Sequence, residues 1–141
     1  MSSLFQGDVK LSDFSVATEM TEDRKVKGTN AYLLTESTGS PRYMAPEVFR
    51  GDPYNEKCDV YSFGLILWHC IEMAVPFGTF SKTELISYVY SGKVTPSFNP
   101  DWNKQLRDLF SVCWSFDFQN RYDCDTIMEI LKTEIQAMSS K

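Results

Sequence analysis

The chain has 141 residues, of which 43% are hydrophobic and 14% aromatic, which is enough to build one domain with a packed core. Its 14 basic and 19 acidic side chains give a formal net charge of -5, which argues against a broad basic surface and therefore against nucleic acid as a partner. The N-terminus lacks the basic start and the long apolar stretch of a secretory signal, so we predict a cytoplasmic location, with the nucleus as an alternative.

Two further classes of site or segment are disfavoured by the sequence. The four cysteines include no C-x-x-C pair and the chain has one histidine, so reduced, packed thiols are favoured over a zinc site. The longest apolar segment, residues 60–77, is interrupted by His69 and Glu72. This segment predicts a buried helix and no membrane association.

The first third of the chain predicts a short strand followed by a long loop. Val9 and Leu11 alternate with polar residues, which is typical of a strand that delivers Asp13 and Phe14 at its end. Residues 16–44 have no sustained apolar periodicity. Loops of this length in compact domains are usually functional or disordered.

The rest of the chain predicts helices. Residues 46–51 are expected to form one or two turns, with proline in the first turn and glycine at the stop. The segment that begins near Val60 is apolar on both faces, so we expect a central helix covered all round. Further helical stripes occupy residues 82–91, 102–113 and 127–138. The predicted fold class is mainly α.

Five motifs then point to a family when they are taken in order. They are KLSDFS at 10–15, TGSPRYMAPEV at 38–48, DVYSFGLILW at 59–68, PF at 76–77 and CWSFDFQNR at 113–121. Each is weak alone, but together they resemble the C-terminal lobe of a eukaryotic protein kinase, most closely the tyrosine-kinase-like serine/threonine group. The resemblance runs from about Gly7 to Ile135 and implies a mainly α kinase-like C-lobe with a short β segment at the N-terminus.

The resemblance divides the chain, residues 1–141, as a partial kinase domain. It implies a strand and metal-site motif at 7–15, an activation segment at 13–47 and a helical subdomain at 45–138. Asp13 matches the aspartate of the D-F-G motif, which binds the magnesium that bridges the phosphates of ATP. Ser15 stands where the family usually has glycine.

Within the activation segment, the resemblance implies two kinds of functional hydroxyl. Thr35, Ser37 and Thr38 are candidate phosphorylation sites, because a phosphate there could tie the loop to basic side chains. Ser40 matches the residue that serine/threonine kinases place near the substrate hydroxyl.

Three charged residues match structural positions of the family. Glu47, in the A-P-E motif, is expected to form a buried ion pair with Arg121, although Tyr122 replaces the proline that usually follows this arginine. Asp59 matches the acid that opens the central helix. There it is expected to cap helix amides and, in the family, to steady the catalytic loop.

The remaining kinase motifs have no counterpart in this sequence. In a complete kinase domain the glycine-rich phosphate loop, the catalytic lysine and the catalytic loop precede the D-F-G position, and only 12 residues precede Asp13 here. We therefore expect a chain truncated before the catalytic loop, by a gene-model artefact or natively. Magnesium and ATP belong to the complete domain, and we expect neither to bind this chain alone.

Three functions remain open at this point. The first is the C-terminal lobe of a serine/threonine protein kinase, inactive as an isolated chain, whose partners are a protein substrate or the missing N-terminal lobe. The second is a stand-alone, pseudokinase-like protein interaction module. The third, a helical domain with accidental matches, is the weakest, because chance does not preserve the order and spacing of five motifs.

Overall fold

The computed structural model describes residues 10–139, except for the side chain of Met138. The mainly helical fold is confirmed within this range. Of the predicted N-terminal strand, Val9 lies outside the described residues, and residues 10–14 form neither helix nor strand. The helices are α1 (Pro46–Arg50), α2 (Lys57–Glu72), α3 (Lys82–Glu84, continued by a π-helical turn at Leu85–Val89), α4 (Lys104–Cys113) and α5 (Cys124–Ser139), with 3-10 turns at Glu22–Arg24 and Phe118–Asn120.

Local sequence signals set the ends of the helices. Pro46 opens α1, and Gly51 ends it in the left-handed conformation with a φ of 69°, which glycine adopts without strain. The side-chain oxygen of Asn103 accepts a hydrogen bond of 2.8 Å from the amide of Leu106 and so caps α4. The proline and the glycine of α1 stand at the ends that the sequence predicts, whereas α4 begins two residues later than the predicted stripe at 102–113.

The central helix α2 is buried along one side only. Val60, Leu65 and Trp68 are buried, whereas Phe63 and Ile66 are exposed. The prediction that this helix is covered all round is therefore wrong for the described residues. The reason is tertiary, because the packing of α4 and the turn at 118–120 against α2 leaves Phe63 and Ile66 uncovered.

Two apolar clusters hold the helices together. The larger joins the end of the long loop, α1, α2 and the region around α4, and it includes a run of aromatic rings in which Phe110 lies 5.0 Å from Trp102 and 5.2 Å from Trp114 between centroids. The smaller joins α2, α4 and α5 through Val60, Leu109, Cys113 and Ile127. Because the loop end belongs to the larger core, residues 44–48 are fixed in place.

None of the helices within residues 10–139 combines the length and the apolar character that crossing a membrane requires.

Candidate functional site

The long loop ends at a buried ion pair. Arg121, which follows the 3-10 turn at 118–120, donates from Nη1 to Glu47 Oε1 at 2.6 Å and from Nη2 to Glu47 Oε2 at 2.8 Å. The two side chains are 0% and 2% exposed. The structure thus brings these two predicted residues together in the bidentate geometry that a planar guanidinium and a carboxylate favour.

Two further donors of Arg121 also have partners. Its Nε donates to the carbonyl of Ser115 at 2.9 Å, and Nη1 also donates to the carbonyl of Lys57 at 3.0 Å. The ring of Tyr61 lies 5.0 Å from the guanidinium carbon, within the range of a cation–π contact. The buried charge therefore links α1, the start of α2 and the segment after α4, and the four hydrogen bonds of its guanidinium offset its desolvation.

A turn at residues 40–44 precedes Glu47 in the chain. Hydrogen bonds hold this turn to distant parts of the chain. The Tyr90 hydroxyl donates to the carbonyl of Pro41, and the guanidinium of Arg42 donates to the carbonyl of Phe77 and, at 2.9 Å, to that of Phe80. Ser40, at the start of the turn, is exposed. Its hydroxyl group therefore lies at the surface of a fixed segment.

The same turn is joined to α2 through Tyr43. Its hydroxyl lies 2.7 Å from Nδ1 of His69, the single histidine of the chain, and its carbonyl accepts a hydrogen bond of 2.8 Å from Ser62 Oγ. Sequence analysis missed this contact and the contacts of Arg42. No local pattern marks them, because each joins residues that are distant in sequence.

The middle of the loop is attached to the segment between α1 and α2. Tyr32 and Tyr54 exchange backbone hydrogen bonds of 2.8 and 3.1 Å, and the Tyr54 hydroxyl donates to the carbonyl of Thr35 at 2.8 Å. Asn55 Nδ2 donates to the carbonyl of Asn30 at 2.9 Å. These bonds order a segment that has almost no regular secondary structure.

The structure places the three candidate phosphorylation sites within this loop. The Ser37 hydroxyl donates to the carbonyl of Phe49 at 3.3 Å, and the Thr38 hydroxyl donates to the carbonyl of Glu36 at 3.0 Å. Thr35 is exposed. The described hydroxyl contacts of Ser37 and Thr38 are therefore with backbone acceptors.

Asp59 lies in the first turn of α2 but does not cap it. The helix begins without a side-chain cap, and the described contact of the Asp59 carboxylate is with the thiol of Cys58 at 3.8 Å. The expected capping role is therefore wrong, since Asp59 lies inside the first turn and not ahead of it. Asp59 and Thr38 both line an open cavity of about 250 Å³ between the loop and α2.

Asp13 lies at the surface in a left-handed backbone conformation, with a φ of 62°. Its Oδ1 accepts hydrogen bonds from the Ser15 hydroxyl at 2.7 Å and the Ser15 amide at 3.4 Å. The hydrogen bond from the Ser15 hydroxyl is the main cause that holds the pKa of the Asp13 carboxyl below its usual value, and the bond from the Ser15 amide is the next. The residue that replaces the expected glycine therefore binds the carboxylate directly.

The described residues offer few ligands for a metal ion. Asp13 offers a hard carboxylate oxygen, which suits magnesium. Residues 10–139 contain no cluster of three or more His, Cys, Asp or Glu side chains placed to hold a metal ion. These residues by themselves do not fit a complete magnesium site.

Comparison with known proteins identifies relatives along almost the whole chain. A family profile described as "Protein kinase domain" matches residues 2–134. The chain is 33% identical over 134 residues to the dual specificity protein kinase pyk3 of Dictyostelium discoideum, with 95% of this chain and 9% of that protein covered. It is 36% identical over 114 residues to the dual specificity protein kinase shkD of the same organism, with 80% and 14% covered.

A plant relative is similar at the same level. The serine/threonine-protein kinase CTR1 of Arabidopsis thaliana is 30% identical over 129 residues, which cover 92% of this chain and 15% of that protein. The chain thus spans a small part, 9% to 15%, of the length of these three curated relatives.

Proposed function

The chain belongs to the protein kinase domain family, and we propose that it forms the C-terminal lobe of a serine/threonine protein kinase, an ATP:protein phosphotransferase. Within it we assign residues 7–15 to the metal-site motif, 13–47 to the activation segment and 45–138 to the helical subdomain. Kinases of this family use ATP with magnesium and act on protein substrates.

The observation that carries the proposal is the anchored turn at residues 40–44. Ser40 is exposed at its start, while Pro41, Arg42 and Tyr43 are each held by a distant part of the chain. Catalysis of phosphoryl transfer depends mainly on positioning, so a fixed, exposed serine at this place supports a role near the substrate hydroxyl. The Glu47–Arg121 pair supports this role by fixing the segment immediately after the turn.

The 141 residues taken alone are proposed to be inactive. A kinase transfers phosphate with a glycine-rich loop, a strand lysine and a catalytic-loop aspartate, and this sequence contains none of these motifs. Asp13 would supply one ligand of the metal site, and the remaining groups would have to come from an N-terminal lobe and a catalytic loop outside these 141 residues.

The alternative, a protein interaction module, is favoured by one observation. The Asp13 carboxylate is hydrogen-bonded by Ser15, through both hydroxyl and amide, where the family usually has glycine. A metal ion that approached Oδ1 would compete with the hydroxyl bond, whereas the described hydrogen bonds leave Oδ2 open. If that competition abolishes metal binding, the domain would retain protein binding without phosphoryl transfer.

A chimaeric kinase separates the two functions. Residues 10–135 would replace the matching region of the shkD kinase domain, and magnesium-dependent transfer to serine, threonine and tyrosine peptides would be measured. We expect transfer to serine or threonine that is lost in Asp13→Ala and increased in Ser15→Gly. The Asp13→Asn variant serves as a nearly isosteric control for the loss of charge.

One outcome of this experiment would contradict the kinase assignment. A chimaera that melts cooperatively like the parent kinase, yet transfers no phosphate even after Ser15→Gly, would exclude catalytic competence of this lobe and support the interaction module.

A further inference from the structure

An open apolar groove lies between α2 and α5. Its volume is about 480 Å³, and among the described residues its lining is apolar apart from the thiol of Cys124 and the charged Lys132. The side chains of Phe63 on α2 and of Met128 and Ile135 on α5 are 40%, 45% and 62% exposed, respectively. Apolar side chains lose free energy while they face water, so covering this groove with a partner would be favourable.

The spacing of the apolar side chains on α5 fits a second helix. Four that line the groove recur at intervals of four, three and four residues, at Cys124, Met128, Leu131 and Ile135. This is the 3.5-residue period of the seam between two packed helices. The neighbouring face of α5, with Ile127 and Ile130, packs into the smaller apolar cluster of its own chain. Met128 and Ile135 therefore remain available to a further helix.

The charges beside this seam favour another copy of the same helix in the antiparallel direction. Asp125 and Lys132 each follow a seam residue directly and are seven positions apart, so they lie on the same flank of α5. Both side chains are exposed. When two copies pack antiparallel about a two-fold axis, Asp125 of each copy lies opposite the partner's Lys132. Two symmetric ion pairs result, and the opposed helix dipoles favour the same direction.

The contact of Lys132 within its own chain does not prevent this arrangement. Lys132 Nζ lies 2.9 Å from Glu129 Oε1, and the two side chains are 55% and 69% exposed. An exposed pair of this kind contributes little to stability, so Lys132 can approach a second carboxylate at small cost. The formal net charge of -5 on each chain opposes association. Salt screens that long-range repulsion more than it weakens apolar contacts and short ion pairs.

From these observations we propose that the groove between α2 and α5 is a dimer interface, in which each copy of the chain receives α5 of the other. Because a two-fold interface uses the same surface on both copies, the assembly closes as a dimer and does not extend into a filament. Ile135 of each copy packs toward the beginning of the partner helix. This arrangement is independent of any kinase activity of the chain.

Sedimentation velocity of the 141-residue chain measures the association. We expect a monomer–dimer equilibrium with a Kd of about 1 to 100 μM, as suits a small interface. Ile135→Asp should raise this Kd by about tenfold or more, because it places a charge in the apolar seam. The matched control is Leu33→Asp on the long loop, at a side chain that is 63% exposed against 62% for Ile135. This control should leave the Kd unchanged.

Charge reversal tests the direction of the two helices. Asp125→Lys and Lys132→Glu should each raise the Kd by about tenfold, because like charges then face each other twice across the dimer. When the two variants are mixed, opposite charges face each other at both places. The mixed dimer should therefore regain an affinity close to that of the unmodified chain. Thermal melting of each variant shows that it is folded before it is mixed.

Three results would overturn the proposal. One is an unmodified chain that stays monomeric up to about 500 μM, which would leave the groove to a segment of a longer chain or to another protein. Another is a dimer that Leu33→Asp weakens as much as Ile135→Asp does, which would place the interface elsewhere or indicate nonspecific association. The third is a mixture of the two charge variants that associates no better than either variant alone, which would exclude the antiparallel pairing.

Discussion

Arg121 and Glu47 are separated by 74 positions in the chain and meet through two hydrogen bonds in a region closed to solvent. Glu47 belongs to the short helix that follows the long loop, and Arg121 follows the last 3-10 turn. Their contact therefore joins the end of the loop to the C-terminal helices. Tyr122, in the place of the usual proline, is exposed and leaves the pair intact.

Removing one partner of this pair should lower the free energy of unfolding by more than the intact pair contributes to it. Glu47→Ala or Arg121→Ala leaves an uncompensated buried charge, and we expect each to lower the free energy of unfolding by about 3 to 5 kcal/mol. The double variant should lose much less than the sum of the two, because the second change removes the orphaned charge. Urea denaturation of the four proteins measures this coupling.

The matched control for this double-mutant cycle is the exposed pair Lys132 and Glu129 on α5, in which Lys132 Nζ lies 2.9 Å from Glu129 Oε1. Its coupling energy should be below about 1 kcal/mol. Additive losses at Glu47 and Arg121 would mean that the buried pair is not coupled.

The contact between Tyr43 and His69 should stabilise the turn at 40–44. Tyr43→Phe deletes the hydroxyl and keeps the ring, so we expect a loss of about 0.5 to 1.5 kcal/mol in the free energy of unfolding. Hydrogen exchange should also quicken at the amides of Tyr43 and Met44, which donate to the carbonyl of Ser40. Tyr88→Phe, at an exposed ring, is the control. Equal effects of the two variants would show that the His69 contact contributes nothing.

Stability should fall in alkaline solution because of a buried thiol. Cys113 is 1% exposed, and burial raises the pKa of its thiol from 9.0 to about 12. Below pH 9 the Cys113 thiol is protonated in both the folded and the unfolded state. Between pH 9 and about 12 it ionises in the unfolded chain only, so its contribution to stability is lost as pH rises through this range.

The expected slope near pH 10 is about 1.4 kcal/mol per pH unit for this one thiol. Cys113→Ala should reduce the slope of the unfolding free energy against pH by about that amount, whatever it does to stability at pH 7. Cys70→Ala, at an exposed thiol, is the control for the substitution itself. A slope that is the same in the Cys113→Ala variant would contradict the assignment.

Local signals predicted much of the fold, and long-range packing limited the rest. Proline and glycine mark the ends of α1, and apolar spacing predicts α4 and α5. The exposure of Phe63 and Ile66 could not be predicted, because it depends on which elements pack against α2 and not on the composition of the helix.

The candidate site was predictable only where a family motif marked it. Glu47 and Arg121 were expected to meet because of the resemblance, since nothing in their local sequence links them. The contact of Ser15 with Asp13 is local, but its form depends on the left-handed backbone at Asp13, which the residue type alone does not dictate.

The central claim, that these residues form a kinase C-terminal lobe that lacks its nucleotide site when isolated, is tested most directly by thermal melting with Mg-ATP. A ligand present at 100 times its Kd would stabilise the folded state by about 2.7 kcal/mol. We predict no saturable rise in Tm up to millimolar Mg-ATP, in either the native chain or Asp13→Ala. A rise that saturates with Mg-ATP in the native chain and disappears in Asp13→Ala would contradict the account.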